Sequence, residues 1–177
     1  VIATKAFARC LSLEEIEIPS SASIIGSSAF EGCSSLKVVS ILSPVQSISC
    51  SLFANCSSLI QISIPFSVTK IDDCAFSGCE SLAEINIPSN VTLLGKNAFK
   101  NCSSLQKIDI PNSVTEINDF CFAKCKKLRE VNICSEITFG GGVFYECPNL
   151  INKPSILNDK ISSYGFVPPE PEIKHKC

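Results

Sequence analysis

Residues Leu82 to Cys102 read Leu-Ala-Glu-Ile-Asn-Ile-Pro-Ser-Asn-Val-Thr-Leu-Leu-Gly-Lys-Asn-Ala-Phe-Lys-Asn-Cys. Around Ile85 and Ile87, polar and apolar residues alternate with period two, the pattern of a short half-buried strand. Pro88 has no N–H to donate to a ladder, so the strand is expected to stop there. Further on, Phe99, Cys102 and Leu105 recur at three-residue steps. That spacing predicts a helical or 3-10 turn with one face inward. A strand this short cannot bury its apolar side alone, so the stretch requires neighbours of its own kind.

The neighbours are present. Phe recurs every 23 residues at Phe7, Phe30, Phe53, Phe76, Phe99 and Phe122, and Phe144 follows after 22. Three residues after each Phe stands a Cys: Cys10, Cys33, Cys56, Cys79, Cys102, Cys125 and Cys147. Three further on stands a Leu, from Leu13 to Leu150. A β-type pair then opens, as in Ile16-x-Ile18, Val39-x-Ile41, Ile62-x-Ile64, Ile108-x-Ile110 and Val131-x-Ile133. Pro19, Pro65, Pro88 and Pro111 close four of these runs. Another apolar residue precedes each Phe by five, from Ile2 to Phe139. Such a repeat specifies a solenoid, in which each coil buries its apolar side against the next. Strands spaced about 4.7–4.9 Å apart would build one parallel sheet roughly 35 Å long.

The pattern Leu-x-x-Ile-x-Ile-Pro-x-x-Val, followed by Ala-Phe-x-x-Cys, resembles the treponemal class of leucine-rich repeats, the BspA-like family. The resemblance covers roughly residues 1–150. It implies an α/β-type repeat solenoid, a right-handed leucine-rich-repeat superhelix with its parallel sheet on the concave face and short helical or 3-10 turns elsewhere. It also implies surface or secreted proteins of bacteria and protozoan parasites that adhere to host proteins, host cells or other microbes. Fold alone does not fix function, so that last step is analogy.

Composition removes other classes. The 177 residues carry 15 Lys and Arg against 17 Asp and Glu, a net charge of −2. A nucleic-acid binder needs a basic excess to neutralise phosphates. No apolar run reaches the length of a transmembrane helix. The hydrophobic content of 45% argues against a disordered chain.

About seven coils are expected over 1–153, a degenerate C-terminal half-coil or cap over 154–166, and a Pro-rich, basic tail over 167–177. The half-coil rests on Ile161 and Phe166, which repeat the Ile-to-Phe spacing. The absence of Met, and a first coil that starts in mid-repeat at Val1, suggest a piece of a longer array with an open N-terminal edge. An open edge invites pairing with a second copy.

Twelve Cys suggest a disulfide framework until the register is read. Seven occupy one repeat position, where stacked side chains point the same way and pack as small apolar groups. Cys50, Cys74, Cys121, Cys134 and Cys177 are irregular. Cys121-x3-Cys125 has zinc-ligand spacing, but Cys125 belongs to the repeat column and no His lies near it in the sequence. No metal or other cofactor is expected. His175, the one His, lies in the tail, which leaves a Ser or Cys nucleophile without a base. Acidic pairs such as Glu14-Glu15 and Asp72-Asp73 read as solvated surface. The chain reads as a non-enzyme.

The functional candidate is the outward face of the strands. One column runs Glu15, Val38, Gln61, Glu84, Lys107, Glu130; the other runs Glu17, Ser40, Ser63, Asn86, Asp109, Asn132. These columns suit a protein ligand held by hydrogen bonds, with Glu14, Glu15 and Glu17 favouring a basic partner at one end. Trp is absent and Tyr scarce, so aromatic anchors are missing and multivalency would supply strength. Val38, Leu42 and Ile60 are apolar outward candidates. Asn55, Asn90 and Asn101 head glycosylation sequons. The reading is a protein-binding module at the cell surface or secreted, with a host extracellular-matrix or cell-surface protein as partner. An intracellular, cytoplasmic interaction scaffold is the alternative.

Overall fold

In the computed structural model, residues 1–133 and 136–151 are described. The expected half-coil at 154–166, the tail at 167–177, Cys134, His175 and Cys177 lie outside the described residues. The chain winds as a parallel β-solenoid. On one side lie β1 (Glu15–Ile18), β2 (Val38–Ile41), β4 (Gln61–Ser63), β7 (Lys107–Ile110) and β9 (Glu130–Ile133). Their register follows the 23-residue repeat, with Ile16 beside Val39 and Val39 beside Ile62. Inward residues are apolar because alternate side chains of a strand point to opposite faces. Ile18, Val39, Ile41, Ile108 and Ile110 are buried, whereas Glu15, Gln61, Lys107 and Glu130 are exposed.

A second sheet, not anticipated from the sequence, lines another side of the coil. It is built from two-residue strands: β3 (Ser47–Ile48), β5 (Lys70–Ile71), β6 (Leu93–Leu94), β8 (Glu116–Ile117) and β10 (Thr138–Phe139), in the order β10-β8-β6-β5-β3. The apolar residue five before each Phe is the inward member of these strands, and Ile48, Ile71, Leu94 and Ile117 are fully buried.

The expected helical or 3-10 turns are not there: no helix occurs among the described residues. The hydrogen bonds explain why. The N–H groups of Ala98, Lys100 and Cys102 do donate three residues back, at 3.2, 3.1 and 3.1 Å. Those of Asn97, Phe99 and Asn101 instead donate across to the next coil, to the carbonyls of Asp119, Cys121 and Ala123 at 3.0, 2.8 and 2.9 Å. A helix needs every N–H for its own axis, and here alternate ones join the coils. Asn97 and Asn101 also adopt left-handed backbone, with φ of 55° and 61°, which interrupts any right-handed helix.

The interior is a stack of Phe rings. Successive rings from Phe7 to Phe122 lie 5.2–5.7 Å apart between centroids and within 12° of parallel. Phe144 extends the stack, 5.7 Å from Phe122. Beside it runs the thiol column. Cys56, Cys79, Cys102 and Cys125 each donate Sγ–H to the carbonyl of the Phe in the preceding coil, at 3.1–3.3 Å. A thiol thus fills an apolar slot and satisfies a backbone oxygen.

Candidate binding face

The two outward columns are assembled largely as the repeat predicts. Glu15, Val38 and Gln61 stand side by side across β1, β2 and β4, as do Glu17, Ser40 and Ser63. Lys107 and Asp109 stand beside Glu130 and Asn132 across β7 and β9. Val38 and Ser40 are half-buried, and the other ten column residues are exposed. Lys107 Nζ lies 3.4 Å from Asp109 Oδ1, and Asn132 Nδ2 donates to the same oxygen at 2.7 Å. Lys107 is therefore partly neutralised, and Glu15, Glu17, Glu84 and Glu130 leave the face acidic. At its margin, the Lys37 ammonium hydrogen-bonds the Glu14 carboxylate at 2.7 Å and holds that carboxyl below the usual range.

The face is interrupted at its centre. Glu84-Ile85-Asn86-Ile87 make no hydrogen bond to either neighbouring coil, although the flanking segments do. Before the gap, Ser81 N–H donates to Ser57 C=O, and Gln106 N–H donates to Ala83 C=O. After it, Thr92 N–H donates to Thr69 C=O. The sheet is thereby split into β1-β2-β4 and β7-β9. A cavity of about 750 Å³ lies there, lined by Ile60, Gln61, Ile62, Glu84, Ile85, Asn86, Lys107 and Asp109. Outward residues and the inward-facing Ile62 and Ile85 share this lining, and both isoleucines are only half-buried. The corresponding Val39 and Ile108 are each 1% exposed.

Leu42 and Ile60 are outward apolar residues, each 53% exposed, as expected. Phe66, at 65%, was missed. Its signal was legible, since Phe66 interrupts a repeat column otherwise occupied by Ser20, Ser43, Ser89 and Asn112.

The remaining candidates find structural explanations. Asn55 and Asn101 are exposed and sit in left-handed backbone immediately before a core Cys. Gly32 and Gly78 hold the same place in other coils, so Asn recurs there for its conformation. Asn90 is exposed, and its Nδ2 donates to the Phe66 carbonyl at 2.8 Å. Burial pushes the thiols of Cys56 and Cys102 up to about 12, and those of Cys79 and Cys121 are raised by the same cause. Cys125 is raised by its hydrogen bond to Cys147 together with burial. Such groups stay protonated at neutral pH and are neither nucleophiles nor ready ligands. Asp72 is raised by burial, and the Asp73 carboxylate accepts the Lys96 N–H at 2.7 Å. These acidic residues serve the fold. No helix among the described residues is long and apolar enough to cross a membrane.

Comparison with known proteins agrees with this architecture. The model of the BspA type leucine rich repeat region matches residues 1–63 and 46–167, in six copies. Among solved structures, a leucine-rich repeat protein from Bacteroides ovatus is 36% identical, with a TM-score of 0.72 over 77% of this chain. The Treponema pallidum leucine-rich repeat protein is 28% identical, with a TM-score of 0.65, and the match covers 87% of this chain and 84% of that one. A leucine-rich repeat protein from Eubacterium ventriosum is 26% identical, with a TM-score of 0.65 over 75% of this chain. The chain spans only 38% of the Bacteroides protein and 34% of the Eubacterium protein. No curated protein matches the chain significantly. A 23-residue solenoid with stacked Phe, a thiol column and these relatives leads to one assignment: the chain belongs to the BspA-type leucine-rich-repeat family.

Proposed function

We propose that this chain is a non-enzymatic protein-binding module of a microbial surface or secreted protein, which contacts host matrix or cell-surface proteins through its strand face. The carrying observation is the acidic, exposed pair of columns held in register by β1, β2, β4, β7 and β9. Backbone ladders position these side chains, so little ordering entropy is lost on binding. The acidic excess selects partners with basic patches and raises their encounter rate.

The test is binding to immobilised host matrix proteins and to intact host cells, comparing the native chain with a Glu17→Lys, Glu130→Lys variant. Both residues are exposed, so the circular dichroism spectrum should not change. Binding should fall about tenfold or more, equivalent to roughly 1.4 kcal/mol. Equal binding by the two proteins overturns the reading. Glycans on Asn55, Asn90 or Asn101 in protein isolated from its source would support the surface assignment. The alternative is an intracellular interaction scaffold. Reduced thiols and an absence of glycans in the isolated protein would decide for that alternative.

A further inference from the structure

The strand face has one feature that a uniform solenoid would lack. At Glu84–Ile87 the sheet has no ladder, and the opening reaches the inward-facing Ile62 and Ile85. Three properties of this slot constrain what fills it. Its lining includes Ile62 and Ile85, half-buried against the core, and the half-exposed Ile60. Its rim carries Glu84, which makes no ion pair among the described residues, while the neighbouring Asp109 already has Lys107 and Asn132. Along its length lie the backbone N–H and C=O groups of Glu84, Ile85, Asn86 and Ile87, none bonded to another backbone group among the described residues. Unbonded backbone groups next to apolar side chains are costly to leave unsatisfied and are good partners for an extended chain.

We propose that this slot is the specificity element of the binding face and takes an extended segment of the partner protein. One aliphatic side chain of the segment enters over Ile62 and Ile85. A Lys or Arg beside it pairs with Glu84, and its main chain bonds the free amides and carbonyls of Glu84–Ile87. The inference rests on the strand face being the binding surface, and it names the part of that face that reads the partner. Acidic columns alone would accept any basic surface. The slot adds a requirement for an aliphatic residue next to the positive charge.

The probe is a fluorescein-labelled hexapeptide alternating lysine and isoleucine, compared with one alternating lysine and serine and one alternating glutamate and isoleucine. Fluorescence polarisation should show saturable binding of the first alone. Glu84→Lys and Ile60→Ser both change exposed side chains and leave the fold intact. Each should weaken that peptide about tenfold, while Glu116→Lys, an exposed residue of β8 on the other sheet, changes its affinity less than about twofold. Hydrogen exchange supplies a second readout. In the free protein the amides of Glu84–Ile87 should exchange faster than those of β2, which is paired on both sides, and the peptide should slow them. Amides at 84–87 as protected as those of β2 would mean a closed slot and overturn the proposal. So would no saturable binding up to about 1 mM. Peptide binding that is lost in Glu17→Lys but kept in Glu84→Lys and Ile60→Ser would also overturn the slot, while leaving the binding face standing. Loss of the face itself is read separately, from the Glu17→Lys, Glu130→Lys comparison on host proteins.

Discussion

The Cys at the repeat position does two jobs that its apolar neighbours do not share. In Cys79, Sγ fills the core and donates to the Phe53 carbonyl at 3.2 Å. That carbonyl also accepts the Cys56 N–H at 3.1 Å, so truncation does not orphan it. Cys79→Ala should therefore cost about 1–2 kcal/mol, one thiol contact and a small void, as read from chemical denaturation. Protection of the thiolate follows from the same burial. Cys56 and Cys102, pushed up to about 12, should resist iodoacetamide in the native protein. Exposed Cys10 and Cys50 should be alkylated, which site-resolved mass spectrometry would show. Asn101 tests a backbone role. At φ 61°, Asn101→Gly should be nearly neutral, and Asn101→Ala should lose about 1 kcal/mol.

At the scale of elements, tight coil spacing shows itself at Gly95. A Cβ there would lie 2.6 Å from the carbonyl carbon of Asp72 and from the amide of Asp73, both backbone atoms of the adjacent coil. Gly95→Ala should push β5 and β6 apart and cost about 1–3 kcal/mol in thermal or denaturant unfolding. Asp72 in the same corner carries a pH signature. Burial raises its carboxyl above 3.8, outweighing the opposing effects of Lys70 and Ser47. A carboxyl whose folded pKa exceeds its unfolded value penalises the fold once pH rises through the folded value. Below pH 3.8 it is protonated in both states and the penalty is gone. Asp72→Asn should thus stabilise near neutral pH, with the gain fading as pH falls to that point; a gain that persists in acid would contradict the burial argument. The side built from β1, β2, β4, β7 and β9 was legible because alternation at period two is local, whereas the two-residue strands of the second sheet are too short to alternate. The third side was misread as helical because three-residue spacing fits both a helical turn and a run of separate turns. Only the inter-coil bonds of Asn97, Phe99 and Asn101 separate the two.

For the whole molecule, each coil's contribution is its contact with the next. Phe76 stacks on Phe53 and Phe99 at 5.7 and 5.3 Å, so Phe76→Ala breaks two ring contacts at once. A loss of about 3–5 kcal/mol is expected, enough to unfold the central coils before the flanking ones. Hydrogen exchange would detect this as lost protection centred on coils containing Phe53, Phe76 and Phe99, in contrast to uniform loss along the chain.

The 23-residue period, the inward Phe, Cys and Leu and the two outward columns could all be read from residue order, because side-chain direction in a strand and burial in a repeat follow from local pattern. The break in the sheet could not. Glu84-Ile85-Asn86-Ile87, followed by Pro88, has as clear a strand pattern as any in the chain, and it is the stretch that forms no ladder. Alternation decides which side chains face inward. Whether backbone groups of adjacent coils meet within hydrogen-bonding distance depends on how whole coils stack, through rings, thiols and turns far from the strand itself. The slot is a product of that stacking, and so is any selectivity it confers.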